Sequence, residues 1–208
     1  MLSPSLKRMI NKAQSVECMN NIKVIGTAYL GYSEDNSGFI PISANHHPFD
    51  YFHWMVETSP YLGIEMKDKN TFVVEGTIYN CPHHDYRENN LPVNFGGYGL
   101  NWKYAGFTAR SKGSMQRKKF LDMNKPNETI LMGDTQDFKG LVNQSVILPL
   151  AYLYTAEFHG WSGQVPASIR HELTYNKLWG DLHVSNDYWD DIAKGRNNDI
   201  EYFYKLQK

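Results

Sequence analysis

The sequence predicts an α+β fold, with a long N-terminal α-helix packed on an antiparallel β-sheet that carries long loops. Three observations predict it. An apolar stripe at helical spacing runs through the first 35 residues, the period changes after a turn signal at 35–38, and short β-branched or aromatic runs bounded by Gly, Pro and Asn follow.

The helix is the clearest element. Apolar residues fall at Leu6, Met9, Ile10, Ala13, Val16, Met19, Ile22, Ile25, Ala28, Tyr29 and Tyr32, in steps that are almost all three or four. Lys7, Asn11, Lys12, Gln14, Glu17, Asn21 and Lys23 mostly lie off that stripe. Ser3-Pro4 suits an N-cap and first helical residue, and Asp35-Asn36-Ser37-Gly38 supplies the stop, with Gly38 or Asn36 in a left-handed conformation.

Beyond the stop, Phe39-Ile40-Pro41 reads as extended, and Phe49 to Leu62 as a second, shorter helix ending near Pro60. Thr71 to Tyr79 reads as a strand leading into Cys81-Pro82, Gly96 to Trp102 as a short strand after a turn, and Thr129 to Asp134 as a buried strand. Arg110 to Lys119 is a basic, solvated loop, and Gln144 to Gly163 an aromatic insertion of loops. Lys177-Leu178-Trp179 and Leu182-His183-Val184 flank Gly180-Asp181 in the pattern of a hairpin with a two-residue turn. Trp189 to Ile192 reads as a helical turn and Ile200 to Leu206 as a final strand.

At 208 residues the chain fits a single domain, 1–208, in which 1–36 is helix and 37–208 a globular α+β head. Hydrophobic residues at 41% and charged ones at 21% are globular proportions, which excludes a disordered chain. A formal net charge of −1 supplies no positive field to gather nucleic acid or anionic lipid. No run of 18 or more apolar residues occurs. With two cysteines, Cys18 and Cys81, neither a cysteine-dense scaffold nor a thiolate-only zinc site can form.

Three ordered stretches resemble a large bacterial family with a prepilin-type cleavage and methylation segment, related to pilins and type II secretion pseudopilins. The first runs from Leu2-Ser3-Pro4 and Ala13 through Cys18-Met19-Asn20-Asn21 and Gly26 to Tyr32, Asp35, Asn36, Gly38 and Ile40-Pro41. Cys81-Pro82, Tyr98-Gly99-Leu100-Asn101 and the strand ending at Asp134 are similar to the family's middle. Arg170-His171, Asn176 and Leu178 through Asp181, His183 and Val184 resemble its C-terminal signature. In two places the chain departs from the pattern. Leu182 stands where the family's hairpin usually has glycine, which shifts the expected positive φ to Gly180. The family's apolar N-terminal stretch is also absent, so the expectation is a chain cut from its membrane anchor, with Pro4 a mid-helix kink in the longer protein.

The resemblance implies a pilin-like fold and a non-enzymatic role as a subunit of a type IV pilus-like or type II secretion pseudopilus-like assembly. Its partners would be other pilin-like subunits, met through the helix, and the inner membrane, with the head in the periplasm or at the cell surface. In an exported protein Cys18 and Cys81 have two readings. One is a disulfide closing a loop of about 60 residues, valued at ~4 kcal/mol by chain entropy. The other is two separate buried thiols.

No cofactor is expected, although the histidines raise a metal alternative. His171, Asp181 and His183 form one candidate set for zinc or calcium, with Asp134 as a fourth oxygen donor. Against it stands a structural role as ion pairs and hairpin hydrogen bonds, which carries more weight because no helical metal motif such as H-E-x-x-H is present. Some type II pseudopilins bind calcium in a C-terminal loop, and Asn186-Asp187 with Asp190-Asp191 offers oxygen here, although such clusters are more often solvated loops. Cys81 beside His83 and His84 lacks the geometry of a nucleophile–base pair, and no helix pattern follows Gly96-Gly97-Tyr98-Gly99 to bind phosphate. Two rival functions remain. One is an extracellular carbohydrate-binding module using Trp102, Trp161, Trp179 or Trp189, and the other a metal-dependent hydrolase built on the histidines.

Overall fold

The structure is a computed structural model that describes residues 3–41, 44–47, 50–65, 77–83, 98–100, 107–108, 118–136, 165–166, 171 and 174–188. Helix α1 spans Pro4–Asp35, and Ser3 caps it, its Oγ accepting from the Leu6 N–H at 3.3 Å. Pro4 takes the first helical position, where its missing N–H leaves no bond unmade. At the other end the Gly38 N–H reaches back to the Ser33 carbonyl at 2.8 Å, with Ser37 at φ 57° and Gly38 at φ 84°. This is a Schellman closure whose left-handed cap residue is Ser37. Asn36, one of the two residues expected to be left-handed, has φ −117° and instead donates its side-chain amide to the Tyr32 carbonyl at 2.8 Å.

β1 (Ala44–His47) and β2 (Asp50–His53) form an antiparallel hairpin. The expected helix over 49–62 is therefore cut back: strand pairing takes 50–53, and α2 covers only Trp54–Thr58. A 3₁₀ turn, Ser59–Leu62, continues it, so Pro60 lies inside a helical turn and does not end one. Thr77 to Tyr79, expected as the end of a strand, belongs to a turn closed by the Asn80 N–H on the Thr77 carbonyl at 3.1 Å. The remainder of that expected strand lies outside the described residues, as do most of 110–119 and all of 144–163, 189–192 and 200–206.

β3 (Tyr98–Leu100), β4 (Phe107–Thr108), β5 (Ile130–Gln136), β6 (Val165–Pro166), β7 (Thr174–Trp179) and β8 (Val184–Tyr188) complete the described elements. β4 pairs parallel with β1. The larger sheet is antiparallel in the order β3-β5-β7-β8, with β6 also on β5. This helix and small antiparallel sheet make an α+β fold. The register of β5 on β7 shifts between Ile130 and Met132, a bulge at Leu131, whose side chain is fully buried.

The β7–β8 hairpin closes differently from the two-residue turn read in the sequence. The Trp179 N–H bonds the His183 carbonyl at 3.0 Å and the Leu182 N–H bonds the Trp179 carbonyl at 2.9 Å, leaving Gly180, Asp181 and Leu182 as the loop. Such three-residue loops end in a left-handed residue. That residue is Leu182 at φ 67°, not Gly180.

The core lies between α1, the sheet and α2. Cys18, Ile22, Ile25 and Tyr29 of α1 pack with Ile40, Trp54, Met55, Tyr79, Tyr98, Leu100, Leu131, Met132 and Leu178. Trp54 takes edge-on rings from Tyr29, centroids 6.0 Å apart, and from Tyr79, centroids 5.4 Å apart. No helix among the described residues is long and apolar enough to cross a membrane.

Candidate functional site

Two features stand out against this frame, one buried and one exposed. The buried feature starts from the disulfide between Cys18 and Cys81, which joins the middle of α1 to the segment after the Thr77–Asn80 turn. The segment runs along the helix and is tied to it, besides Cys18, by three side chains on the same helix face. Asn21 Nδ2 donates to the Asn80 carbonyl at 3.1 Å, Gln14 Nε2 to the Pro82 carbonyl at 3.4 Å, and His83 Nε2 meets Asn11 Oδ1 at 3.2 Å.

His171 and Asp134 complete this cluster. Cys81 Sγ lies 3.6 Å from His171 Nε2, which lies 3.3 Å from Asp134 Oδ2. Asp134 is held from β7, whose Asn176 N–H donates to Oδ2 at 3.0 Å. His171 is held at φ 52° with its ring stacked on His83 at 5.0 Å and its N–H on His83 Nδ1 at 3.3 Å. The Asp134 and His171 side chains are both fully buried. Asp134 Oδ1 and His171 Nδ1 are nevertheless left without a hydrogen-bond partner among the described residues. A buried polar atom in that condition carries a desolvation cost on the order of 1–3 kcal/mol.

The candidate metal set from the sequence is divided between two places. Asp134 and His171 meet in the interior, whereas Asp181 and His183 meet on the hairpin turn, Oδ1 to Nδ1 at 2.5 Å, with both side chains partly exposed. Asp181 Oδ1 also accepts from the His183 N–H at 3.2 Å, which fastens the turn. Sequence reading did not join the cysteines to Asp134 and His171, because the pairing depends on where α1 crosses the sheet. Two thiolates, an imidazole and a carboxylate would suit zinc in a closed, buried site, but here the two sulfurs are bonded to each other as a disulfide.

Four more of the residues quoted for the resemblance lie on the elements beside it. Asn21 and Tyr98 meet at 3.4 Å, Tyr98 pairs with Asp134 and Gly99 with Gly133 across β3–β5, and Asn176 accepts from Asn186 Nδ2 at 2.6 Å. Asn186, named for calcium, is thereby used within the β7–β8 pair, and Asp190-Asp191, Asn101 and Arg170 lie outside the described residues. Trp179 is buried, donating Nε1–H to Ser185 Oγ at 2.9 Å and stacking on His183 at 5.3 Å, so it offers no open platform for sugar. Trp102, Trp161 and Trp189 lie outside the described residues.

The exposed feature is the first half of α1. Among the apolar positions of the stripe, those from Leu6 to Val16 stay in solvent, with Met9 69% and Val16 56% exposed, whereas Cys18, Ile22, Ile25, Tyr29 and Tyr32 are buried. The cause is in the spacing. Four consecutive steps of three, from Ala13 through Val16, Met19 and Ile22 to Ile25, each fall about 60° short of a full turn and rotate the stripe round the helix. Leu6, Met9, Ala13 and Val16 therefore point roughly opposite the buried face. They alternate three and four, the spacing of a helix-packing seam, and the same outward line continues through Asn20 and Thr27 to Leu30, all exposed.

Comparison with known proteins adds no relative: no family model, no curated protein and no solved structure matches this chain.

Proposed function

We propose that this chain is the head and lower helix of a pilin-like structural subunit, non-enzymatic, in a type IV pilus-like or type II secretion pseudopilus-like assembly. The observation that carries the reading is the outward seam Leu6, Met9, Ala13 and Val16, an exposed apolar three-four line on a helix already anchored to its own head by the opposite face. Its occupants are the corresponding helices of a second copy or of other pilin-like subunits. The ordered signature residues support the same family. The buried disulfide supports export, since such bonds persist in oxidising compartments. On the resemblance, an apolar segment continuous with α1 holds the subunit in the inner membrane, and the head faces the periplasm or the cell surface.

The test is site-specific photo-crosslinking in cells expressing the whole gene. A photoreactive residue at Met9 or Val16 is expected to capture a second copy or another pilin-like subunit. Leu121, at 94% exposure and outside α1, is the control. Capture from the seam no greater than from Leu121 would sink the assembly reading.

A further inference from the structure

We propose that Cys18, Cys81, His171 and Asp134 form a closed tetrahedral site for one zinc-class divalent cation when the disulfide is reduced. The inference is independent of the assembly reading and rests on geometry inside the head. One donor atom from each of the four residues lies within 4.8 Å of all the others, and all four residues are buried.

Ordinary zinc bond lengths place a sulfur and an imidazole nitrogen about 3.6 Å apart on a tetrahedron, and a nitrogen and a carboxylate oxygen about 3.4 Å apart. The corresponding separations here are 3.6 Å from Cys81 Sγ to His171 Nε2 and 3.3 Å from His171 Nε2 to Asp134 Oδ2. The sulfur–sulfur edge of such a site is about 3.8 Å, far longer than a covalent bond, and it is the edge that reduction releases. A second observation points the same way. Asp134 Oδ1 is fully buried beside this cluster with no hydrogen-bond partner among the described residues, so the carboxylate, whose Oδ2 lies 3.3 Å from His171 Nε2, is left short of partners where an ion would complete it.

The chemistry balances with a dithiol as reductant. The dithiol gives two electrons and two protons, becomes a cyclic disulfide, and leaves Cys18 and Cys81 as thiols. Each thiol loses its proton as its sulfur binds the ion, so uptake of one cation releases two protons to solvent while His171 binds as neutral imidazole. Two thiolates favour zinc over magnesium or calcium. The closed shell makes the ion a cross-link that replaces the disulfide and not a catalytic centre. The same contact between α1 and the 80–83 segment is thus held in both redox states.

Cobalt(II) titration of the metal-free, dithiol-reduced full chain under anaerobic conditions tests the proposal. The expected result is saturation at one equivalent, with thiolate-to-cobalt charge-transfer absorption in the near ultraviolet and the intense visible bands of tetrahedral cobalt, both bleached by zinc. Cys81→Ser should abolish the charge-transfer signal of a two-thiolate site. His171→Ala should weaken binding by roughly tenfold or more, as loss of even an outer-shell partner does. The oxidised wild-type chain should show neither band. Should reduction loosen the chain, zinc is expected to restore its far-ultraviolet helical signal. Absence of charge-transfer bands from the reduced wild-type chain, folded or not, overturns the site, as does equal cobalt binding by the oxidised chain or by His171→Ala.

Discussion

Gly26 of α1 lies directly against Leu178 of β7: a Cβ built on the glycine would stand 2.9 Å from Leu178 Cδ1 and 3.1 Å from Cδ2. The missing side chain sets how closely the helix approaches the sheet at this point. Helix preference alone favours Gly26→Ala by about 1 kcal/mol. Overpacking a buried contact costs ~1–3 kcal/mol, and Leu178 is fully buried, so its side chain must yield within the core. Gly26→Ala is therefore expected to lower stability by about 1 kcal/mol in urea unfolding. The double variant Gly26→Ala/Leu178→Val should be more stable than the sum of the two single changes. Strict additivity would mean that the two residues do not meet.

Gly180 stands under a harder constraint. A Cβ there would overlap Met123 Sδ and lie 3.0 Å from the Pro126 carbonyl oxygen and 3.1 Å from Pro126 Cα. Its own N–H bonds the Thr129 carbonyl at 2.8 Å, which pins it in place. Gly180→Ala is expected to cost ~2 kcal/mol or more. Shortening Met123 should not rescue it, because backbone remains in the way. Full rescue by Met123→Ala in a thermal melt would contradict the packing.

These two glycines show how far the sequence was legible. The long helix, its Ser3-Pro4 start, the buried run at 129–134 and a hairpin over 177–184 all follow from local spacing and turn chemistry, and each stands in the structure, the hairpin with a longer turn. Where local pattern competed with pairing, pairing won: residues 50–53 have helical spacing but join a hairpin. The positive φ departs from the local expectation for a related reason. Gly180 is required by its neighbours across the fold, which no local rule reveals, and so the left-handed position falls to Leu182. For the candidate site, His171 and Asp134 were picked out, but with Asp181 and His183. Their real neighbours are the two cysteines, of which Cys81 lies 90 residues from His171 in sequence, beyond any spacing rule.

The disulfide spans a sequence separation of 63 residues. The chain-entropy relation assigns such a loop ~4 kcal/mol. Reduction in metal-free buffer, or Cys18→Ser, is expected to lower unfolding free energy by about that amount, read from guanidinium midpoints with and without a dithiol. A loss below ~1 kcal/mol would mean that the Asn11, Gln14 and Asn21 contacts hold the 80–83 segment to α1 without the bridge.

Two buried tyrosines make opposite predictions at neutral pH and the same prediction in alkali. The Tyr29 hydroxyl has no hydrogen-bond partner among the described residues, whereas Tyr79 donates to the Met55 carbonyl at 3.1 Å and lies 2.7 Å from Thr58 Oγ1. Tyr29→Phe is accordingly expected to be neutral or slightly stabilising at pH 7, and Tyr79→Phe to cost ~1 kcal/mol or more. Burial is the main cause that pushes both phenols above their ordinary value of 10, and for Tyr29 the neighbouring Tyr79 and Glu57 add to it. Below the unfolded pKa both states keep the proton and stability does not change on this account. Above it the unfolded chain releases protons that the folded chain retains, so stability falls as pH rises from about 10 toward the higher folded values. Urea unfolding at pH 8, 10 and 11 should show this decline in the native chain and a shallower one in each Tyr→Phe variant. An unchanged slope in both variants would place the alkaline loss on other groups.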